Sequence, residues 1–563
     1  MNNIRIHKNL NLHDNNIHSG LEFEQFIKRI KEKNNLSNLE IKNITGSTFN
    51  ILKKCIKPSY KQTNTDANTG LVLGYIQSGK TLSFTSLISL AKDNNYKMVL
   101  VFAGSTNLLL DQTVNRLEND LPDKDKYVII KNPLKQDANR INKILNNKFR
   151  NRLIIIPILK NYKYIEDLNK LFKNYKLEQF LNQNSVIIID DEADQASLNT
   201  KSHHNFKNKQ KNIDTDEKST TYDKISQLKL ILKNHSYIQY TATPQANLLL
   251  NNRDLLQPDW VEVLEPGINY TGGLEFFNKN IDKHIIEISS KEEEDSEKPP
   301  IDLVISFYDF IIKSALLVYD YKNSERSRPK MKQTSMMIHA DRIIKKNNIY
   351  LNWIKRLHSS TELALKQNEQ EMIEKLKSQF LKIKNELSSY FDLFPTFEDL
   401  LDRIINWVLD DLHSGIWFVT GNADAEVRWK ESKHHILIGG QKLDRGFTVQ
   451  DLITTYMPRE IKGTSNADTI QQRCRFFGYR KNYIEACKVY LPKKSIREFI
   501  EYIDFEEKLR KFLINNEVDE FYNNGRLMKL GILNPTSKNK IPANLLRSSS
   551  STYQYFEPDF INF

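Results

Sequence analysis

Cysteine is scarce in this chain: Cys55, Cys474 and Cys487 are the only three among 563 residues. With no CxxC pair, they supply neither a disulfide framework nor a zinc finger, which excludes the small secreted scaffolds and cysteine-ligated metal modules. A long apolar run is also missing. The nearest approach, Leu303 to Tyr319, is broken by Asp309 and Lys313, so nothing reads as a membrane span. The opening MNNIRIHKNLNLHDNN lacks the apolar core of a secretion signal, and a cytoplasmic location is expected. No internal repeat is visible. Hydrophobic residues at 39% and aromatics at 10% argue for a sizeable core rather than disorder. The length allows roughly three to four domains at ~150 residues each.

Charge leans one way. Lys plus Arg is 82 and Asp plus Glu is 70, a net charge of +12. That mild excess suits a polyanionic partner such as nucleic acid, and equally a coding bias toward Asn, Lys and Ile.

Residues 1–69 read as a polar helical extension ending in the turn-rich KQTNTDANTG. From Gly70 the texture changes to short apolar runs separated by helix-length segments: LVLGY (71–75), MVLVFAG (98–104), YVII (127–130), LIIIPIL (153–159), SVIIID (185–190) and SYIQYTATP (236–244). Such alternation predicts βαβ units, hence an α/β fold with a mostly parallel sheet under helices. A first domain is expected over 70–288, with 200–220 as an exposed loop. The charged SSKEEEDSEKPP at 289–300 reads as a linker. A second α/β domain is expected over 301–499, its strands being SMMIHA, HHILIGG, LITTYMP and CKVYLP. Between the first two lies a helical insertion, 345–412, where Ile373, Leu376, Phe380, Ile383, Leu387 and Tyr390 repeat at three-four spacing. It reads as a helix packed on its own domain, with a partner-binding arm as the other reading. A helical tail is expected over 500–563.

Several motifs carry chemistry. Gly74-Tyr-Ile-Gln-Ser-Gly79-Lys80-Thr81 matches GxxxxGK[ST] and stands where such a loop must stand, after an apolar run and before a helix-like segment. Backbone N–H groups there would wrap phosphate, Lys80 would reach the β- and γ-phosphates, and Thr81 would bind Mg²⁺. The strand Val186–Ile189 ends in Asp190, Asp191, Glu192 and Asp194. Asp191 is expected to hold Mg²⁺ and Glu192 to orient and deprotonate water, although a shift of one residue toward Asp190 stays open. Thr241-Ala242-Thr243-Pro244 is either an ordinary turn or a link between nucleotide state and bound polymer. Gln471-Gln472-Arg473-Cys474-Arg475-Phe476-Phe477-Gly478-Tyr479-Arg480 is either a basic surface helix or a source of guanidiniums for the transferring phosphate, Arg475 and Arg480 being the fingers. Gly439-Gly440-Gln441-Lys442-Leu443-Asp444-Arg445-Gly446-Phe447-Thr448 follows a strand, where glycines allow close backbone approach to a ligand. A purely structural turn is the other reading. His203-His204 and Pro258-Asp259-Trp260-Val261-Glu262-Val263 are the only nuclease-like fragments, and both read as structural.

Taken together, GYIQSGKT, DDEAD, TATP, GGQKLDRGFT and QQRCRFFGYR resemble motifs I, II, III, V and VI of superfamily 2 helicases. More narrowly, with SMMIHAD added, the set resembles the Z1 domain family, bacterial helicase-like ATPases often encoded beside restriction-modification or anti-phage genes. The resemblance spans about residues 70–495. Two departures stand out: the family usually has Gly at Cys474 and Ser at Asp444. The resemblance implies two RecA-like domains with ATP and Mg²⁺ bound between them. Gly74, Gln77, Ser78, Gly79, Lys80, Thr81 and Gly446 would contact nucleotide. Lys80, Asp191, Glu192, Arg475 and Arg480 would be catalytic, with Thr81 and Asp191 on the metal. Thr241, Thr243, Ser105, Thr106, Gln112, Arg445, Thr448 and Gln472 would couple the domains or contact nucleic acid. The implied activity is an ATP-dependent DNA translocase or helicase acting in defence with a separate effector protein. An ATPase switch that gates a partner without moving along nucleic acid is the alternative. Lys201, Lys207, Lys209, Lys211, Arg326, Arg328, Lys330 and Lys332 are basic positions that either contact DNA or sit in solvated loops.

Overall fold

A computed structural model describes residues 17–58, 66–147, 151–201, 218–250, 254–289, 298–420, 427–444, 448–460, 465–524, 533–534 and 536. The chain divides into two units. The first holds residues 1–268, 466–468 and 506–563, and the second holds 269–465 and 469–505.

The first unit is built on seven parallel strands: β1 (Asp66–Leu73), β2 (Met98–Ala103), β3 (Tyr127–Ile129), β4 (Leu153–Ile158), β5 (Val186–Asp191), β6 (Asn234–Thr241) and β7 (Trp260–Val263). Their order is β3-β4-β2-β5-β6-β1-β7. Every residue of β2, β4 and β6 is buried; β2 and β4 are accordingly continuous apolar runs rather than alternating ones, whereas β6 also buries Asn234, His235, Ser236, Gln239 and Thr241. The fragment Pro258–Val263 contributes edge strand β7, and its acids are structural. The Asp259 carboxylate accepts from the Thr69 N–H at 2.7 Å, and Glu262 pairs with Lys54 at 2.9 Å.

The N-terminal extension belongs to this unit. Helices Leu21–Asn34 and Asn38–Lys53 bury Phe23, Phe26, Ile30, Ile51 and Leu52 in one cluster with Phe84, Leu87 and Ile88 of the helix Lys80–Asp93. The first of them has no side-chain cap of its own. Asp93 supplies one from the end of the neighbouring helix, accepting from Gly20 N at 3.1 Å, Phe23 N at 2.8 Å and Glu22 N at 3.3 Å. A carboxylate at a helix N-terminus satisfies orphan donors and opposes the dipole.

The second unit has six parallel strands: β8 (Ile285–Glu287), β10 (Thr334–His339), β12 (Ile416–Val419), β13 (His434–Gly439), β14 (Leu452–Tyr456) and β15 (Lys488–Leu491). Strands β9 (Glu325–Arg326) and β11 (Phe391–Leu393) form a separate antiparallel pair. The sheet order is β12-β13-β10-β14-β15-β8. Residues 269–288, expected with the first domain, lie in the second unit because β8 pairs with β15 as the edge strand of that sheet. The tail divides as well. Helix Lys493–Asn515 begins in the second unit, and its residues from 506 onward belong to the first. Most of the expected linker, 290–297, lies outside the described residues.

The insertion packs on its own unit. Helices Ile344–Lys366 and Gln370–Glu386 bury Tyr350, Ile354, Leu376, Phe380 and Ile383 in one core with Met336 and Ile338 of β10. Arg326, Arg328 and Lys330 each have a partner within the protein. Arg326 donates to the carbonyls of Leu316 at 3.0 Å and Tyr319 at 2.7 Å, Arg328 pairs with Glu485 at 2.6 Å, and Lys330 pairs with Asp320. Lys332 and Lys201 are exposed, whereas Lys207, Lys209, Lys211 and His203-His204 lie outside the described residues. No described helix is long and apolar enough to cross a membrane.

The Asp93 cap gives a direct test. Asp93→Ala should lower the unfolding free energy of the first unit by about 1–2 kcal/mol, the range measured for lost N-caps, as read from urea denaturation.

Candidate functional site

Three motifs meet at one edge of the first sheet because β6 pairs on one side with β1 and on the other with β5. Leu73 lies opposite Thr241, and Asp191 lies opposite Tyr240. The loop 74–79 after β1, the acids ending β5 and the threonines ending β6 therefore leave adjacent parallel strands at their C-terminal tips, where α/β sheets bind ligands.

The loop after β1 is tight. A Cβ on Gly74 would lie 2.5 Å from Lys80 Cγ, so only glycine lets the lysine stem pass. Gln77 and Gly79 adopt φ of 56° and 98°. Ser78 Oγ donates to Tyr75 O at 2.9 Å, and Lys80 Nζ approaches the same carbonyl at 3.4 Å. Helix Lys80–Asp93 starts with no side-chain cap, which leaves first-turn amides and a positive dipole end for an anion. Lys80 and Thr81 are half-buried.

At the end of β5 the two adjacent aspartates part ways. Asp190 is fully buried, paired with Lys160 Nζ at 2.7 Å and accepting from the Tyr237 hydroxyl at 2.6 Å. Asp191 is half-buried. Its Oδ1 accepts from Glu192 N at 3.0 Å. This separates the alternatives left by the sequence: Asp190 is structural, and the acids at the sheet edge are Asp191 and Glu192. Burial, then the neighbouring Glu192, pushes Asp191 up to about 6, while Lys80 and Lys160 pull it down. Lys80 is thus near enough for its charge to be felt at Asp191. Glu192 sits at φ 54°, a conformation that costs a non-glycine residue energy and recurs at functional turns. Its carboxylate accepts from Gln195 Nε2 at 2.9 Å.

Two residues absent from the sequence reading hold this edge. Lys160, 2% exposed, places its ammonium on Asp190, on the Asp191 carbonyl at 2.5 Å and on the Glu192 carbonyl at 2.9 Å. All three of its protons are used on the acidic turn, and its own N–H donates to Gly104 O at 2.8 Å. The lone lysine after the apolar run LIIIPIL was its only sequence signal. Arg510 stacks on Tyr75 at 3.6 Å from the ring centre and donates to Gly74 O at 3.2 Å, while the Tyr75 hydroxyl donates to Glu507 at 3.0 Å. No local pattern announces a partner 436 residues away.

The threonines after β6 are buried. Thr241 Oγ1 donates to Asp194 at 2.9 Å and accepts from Thr243 N at 2.9 Å, with the Thr243 hydroxyl 3.2 Å away. Thr241 bonds to the acidic turn, and Thr243 bonds to Thr241. Ser105, Thr106 and Gln112 are exposed, and Thr106 also caps the helix Asn107–Asp120.

In the second unit two of the motifs are held by the protein's own groups. Gly439 and Gly440 are required by the protein's own backbone: added Cβ atoms would lie 2.5 Å from Val419 O and 2.1 Å from Asp341 O. Arg480, expected as a finger, is 3% exposed with its guanidinium committed locally. Nε donates to Phe476 O at 2.8 Å, Nη1 to Tyr483 Oη at 2.8 Å and Nη2 to Arg475 O at 3.0 Å. Arg475 is half-buried, Gln472 is buried and Thr448 is exposed. Arg445 and Gly446 lie outside the described residues. Cys474 is fully buried, a space a larger side chain would not share.

Two family models match this chain. Residues 25–246 match the res subunit of type III restriction enzymes, and residues 302–526 match the Z1 domain. Among curated proteins no sequence matches. Similar solved structures include the DUF1998 helicase MrfA bound to DNA, at 11% identity and a TM-score of 0.42, covering 86% of this chain and 54% of that one. Dbp5 of S. cerevisiae bound to RNA and ADP BeF3 is similar at 13% identity and a TM-score of 0.36, covering 86% and 98%. A nuclease-deletion mutant of the Type ISP restriction-modification enzyme LlaGI, in complex with a DNA substrate mimic, is similar at 12% and 0.36, covering 83% and 28%. This chain therefore spans about half of MrfA.

Lys160 and Asp191 generate two tests. Lys160→Met strands the buried Asp190 charge and should destabilise the first unit by about 3–5 kcal/mol, while Lys160→Met with Asp190→Asn recovers most of the loss. Melting curves of the single and double variants check this. Asp191 has a folded pKa of about 6 against an ordinary 3.8. Its ionised form therefore costs stability that is fully felt above that range and vanishes below about pH 4. Asp191→Asn should raise the melting temperature near pH 8 and leave it unchanged near pH 4.

Proposed function

We propose that this chain, a superfamily 2 helicase-like ATPase whose second half is a Z1 domain, couples ATP hydrolysis to movement along DNA in prokaryotic anti-phage or restriction-type defence. The bond from Thr241 to Asp194 at 2.9 Å carries this reading. It ties the acidic turn to the end of the next strand, so a change at the phosphates is felt beyond the nucleotide. An enzyme that only hydrolysed ATP has no need of that coupling. In this reading cutting or modification of DNA falls to a separate polypeptide; the fragment 258–263 contributes an edge strand, and His203-His204 lies outside the described residues.

In this reading the residues act as follows. Gly79 and the first-turn amides of the helix after it bind phosphate, together with Gly74, Gln77 and Ser78, and Lys80 neutralises the β- and γ-oxygens. The oxygens of Thr81 and Asp191 suit Mg²⁺, a hard cation that takes few protein ligands and keeps waters. The second Asp191 carboxylate oxygen and the Thr81 hydroxyl carry no protein hydrogen bond among the described residues, so both are available to it. Bound Mg²⁺ would offset charge on the phosphates. Glu192, held by Gln195, orients water and accepts its proton. Thr241 and Thr243 transmit the state of the acidic turn. Arg475 acts on charge developing at the γ-phosphate, and Arg480 positions Arg475 through its backbone carbonyl. Ser105, Thr106, Gln112, Thr448 and Gln472 serve the polymer.

The decisive measurement is the ATPase rate with single-stranded DNA, duplex DNA and RNA side by side. Stimulation by DNA, with the DNA left uncut and affinity falling steeply with salt, is expected; a salt-insensitive rate indifferent to every nucleic acid makes the chain a partner-gating switch. Lys80→Ala should abolish turnover, and Glu192→Gln should bind ATP without hydrolysing it. Arg475→Ala should lower turnover by roughly 10³-fold or more with little change in ATP affinity. Arg480→Ala should instead lower the melting temperature of the second unit.

A further inference from the structure

The second unit contains a cluster that the ATPase reading does not use. His358 and Glu362 stand four residues apart on helix Ile344–Lys366, a spacing that puts both on one face. His413 follows the π-helical turn Ile404–Leu409 and the short helix Asp410–Leu412, just before edge strand β12. The ligand atoms of the three side chains lie within 4.8 Å of one another. His413 Nε2 is 3.1 Å from Glu362 Oε2, and the two imidazoles meet edge to face with centroids 4.6 Å apart.

We propose that His358, Glu362 and His413 bind a divalent transition-metal ion, zinc being the reference case, which staples the helical insertion to the segment entering the second sheet. Two imidazoles and a carboxylate form the donor set of three-ligand zinc sites, whose fourth position is open to water or another ligand. Zinc bonds of ~2.0–2.1 Å in a tetrahedron place ligand atoms about 3.3 Å apart, so the cluster needs shifts of about 1 Å or less per side chain.

The orientation of His358 is the strongest indication. Its Nε2 lies 2.7 Å from the Leu409 carbonyl, and a carbonyl only accepts, so Nε2 carries the proton. Nδ1 is then the lone-pair nitrogen. A ligating histidine characteristically donates its other N–H to a carbonyl or carboxylate in this way, which fixes tautomer and ring. An ion pair between His413 and Glu362 explains two of the three groups, and among the described residues no hydrogen bond reaches His358 Nδ1. Lys366 holds the other Glu362 oxygen at 2.7 Å, with a side chain 56% exposed, so it is free to swing out when a dication enters. His413, 55% exposed, is the door by which the ion arrives.

The test uses the full chain, stripped with chelator and titrated with Zn²⁺ and Co²⁺. One ion per chain is expected, with a rise in melting temperature and the visible absorption of four-coordinate Co²⁺. His413→Ala, an exposed substitution, should leave the metal-free melting temperature unchanged while weakening Zn²⁺ binding at least tenfold. His358→Gln should weaken it further. Absence of Zn²⁺ and Co²⁺ binding to the unaltered chain overturns the proposal, as does a His413→Ala variant that binds either ion with undiminished affinity.

Discussion

The acidic turn at the tip of β5 sets terms for everything around it. Four carboxylates, Asp190, Asp191, Glu192 and Asp194, leave the end of a strand whose other residues are apolar and buried. Removing such charge from water costs several kcal/mol per ion unless each is paired. The first unit meets that demand with one cation and a set of hydroxyls. Lys160 neutralises Asp190 and binds the next two carbonyls, the Tyr237 hydroxyl serves Asp190, and Thr241 serves Asp194. Asp191 and Glu192 are the two carboxylates for which this set gives no cation or hydroxyl partner. The raised pKa of Asp191 is the residue of a cost the fold has not offset.

The loop after β1 faces the same difficulty in reverse. It must present amides and an ammonium without collapsing onto itself, and Gly74 removes the atom that would block Lys80. Support comes from distant parts of the chain. The N-terminal helices bury their apolar face against the helix Lys80–Asp93, and Arg510 fixes Tyr75 and Gly74 O from the C-terminal side. Both extensions therefore shape the phosphate loop rather than decorate it.

In the second unit the same economy turns apparent functional groups into structure. Arg480 sits in a segment whose composition points to phosphate chemistry, yet Nε, Nη1 and Nη2 each donate to a group within five residues of its own position. Arg326 and Arg328 likewise satisfy carbonyls and the half-buried carboxylate of Glu485. A guanidinium has five donors in a rigid fork, and wherever it is buried those donors must be satisfied locally before any remain for a ligand.

The order of apolar runs and helix-length spacers along the chain was enough to specify two parallel α/β sheets, because strands covered on both faces are rich in apolar residues. That a tight loop follows β1 and that acids end β5 was legible for a similar reason: each depends on residue types at fixed short spacing. Sequence also indicated that Ile373 to Tyr390 belongs to a helix with an apolar stripe. Tertiary structure decided the rest. Whether Asp190 or Asp191 faces the sheet edge depends on Lys160, thirty residues away, and on Tyr237 from another strand. Residues 269–288 join the second sheet because β8 finds its partner in β15, a pairing across 200 residues that no local pattern encodes. Lys160, Arg510 and the His358–Glu362–His413 cluster were invisible beforehand because each acts through neighbours that only folding brings together.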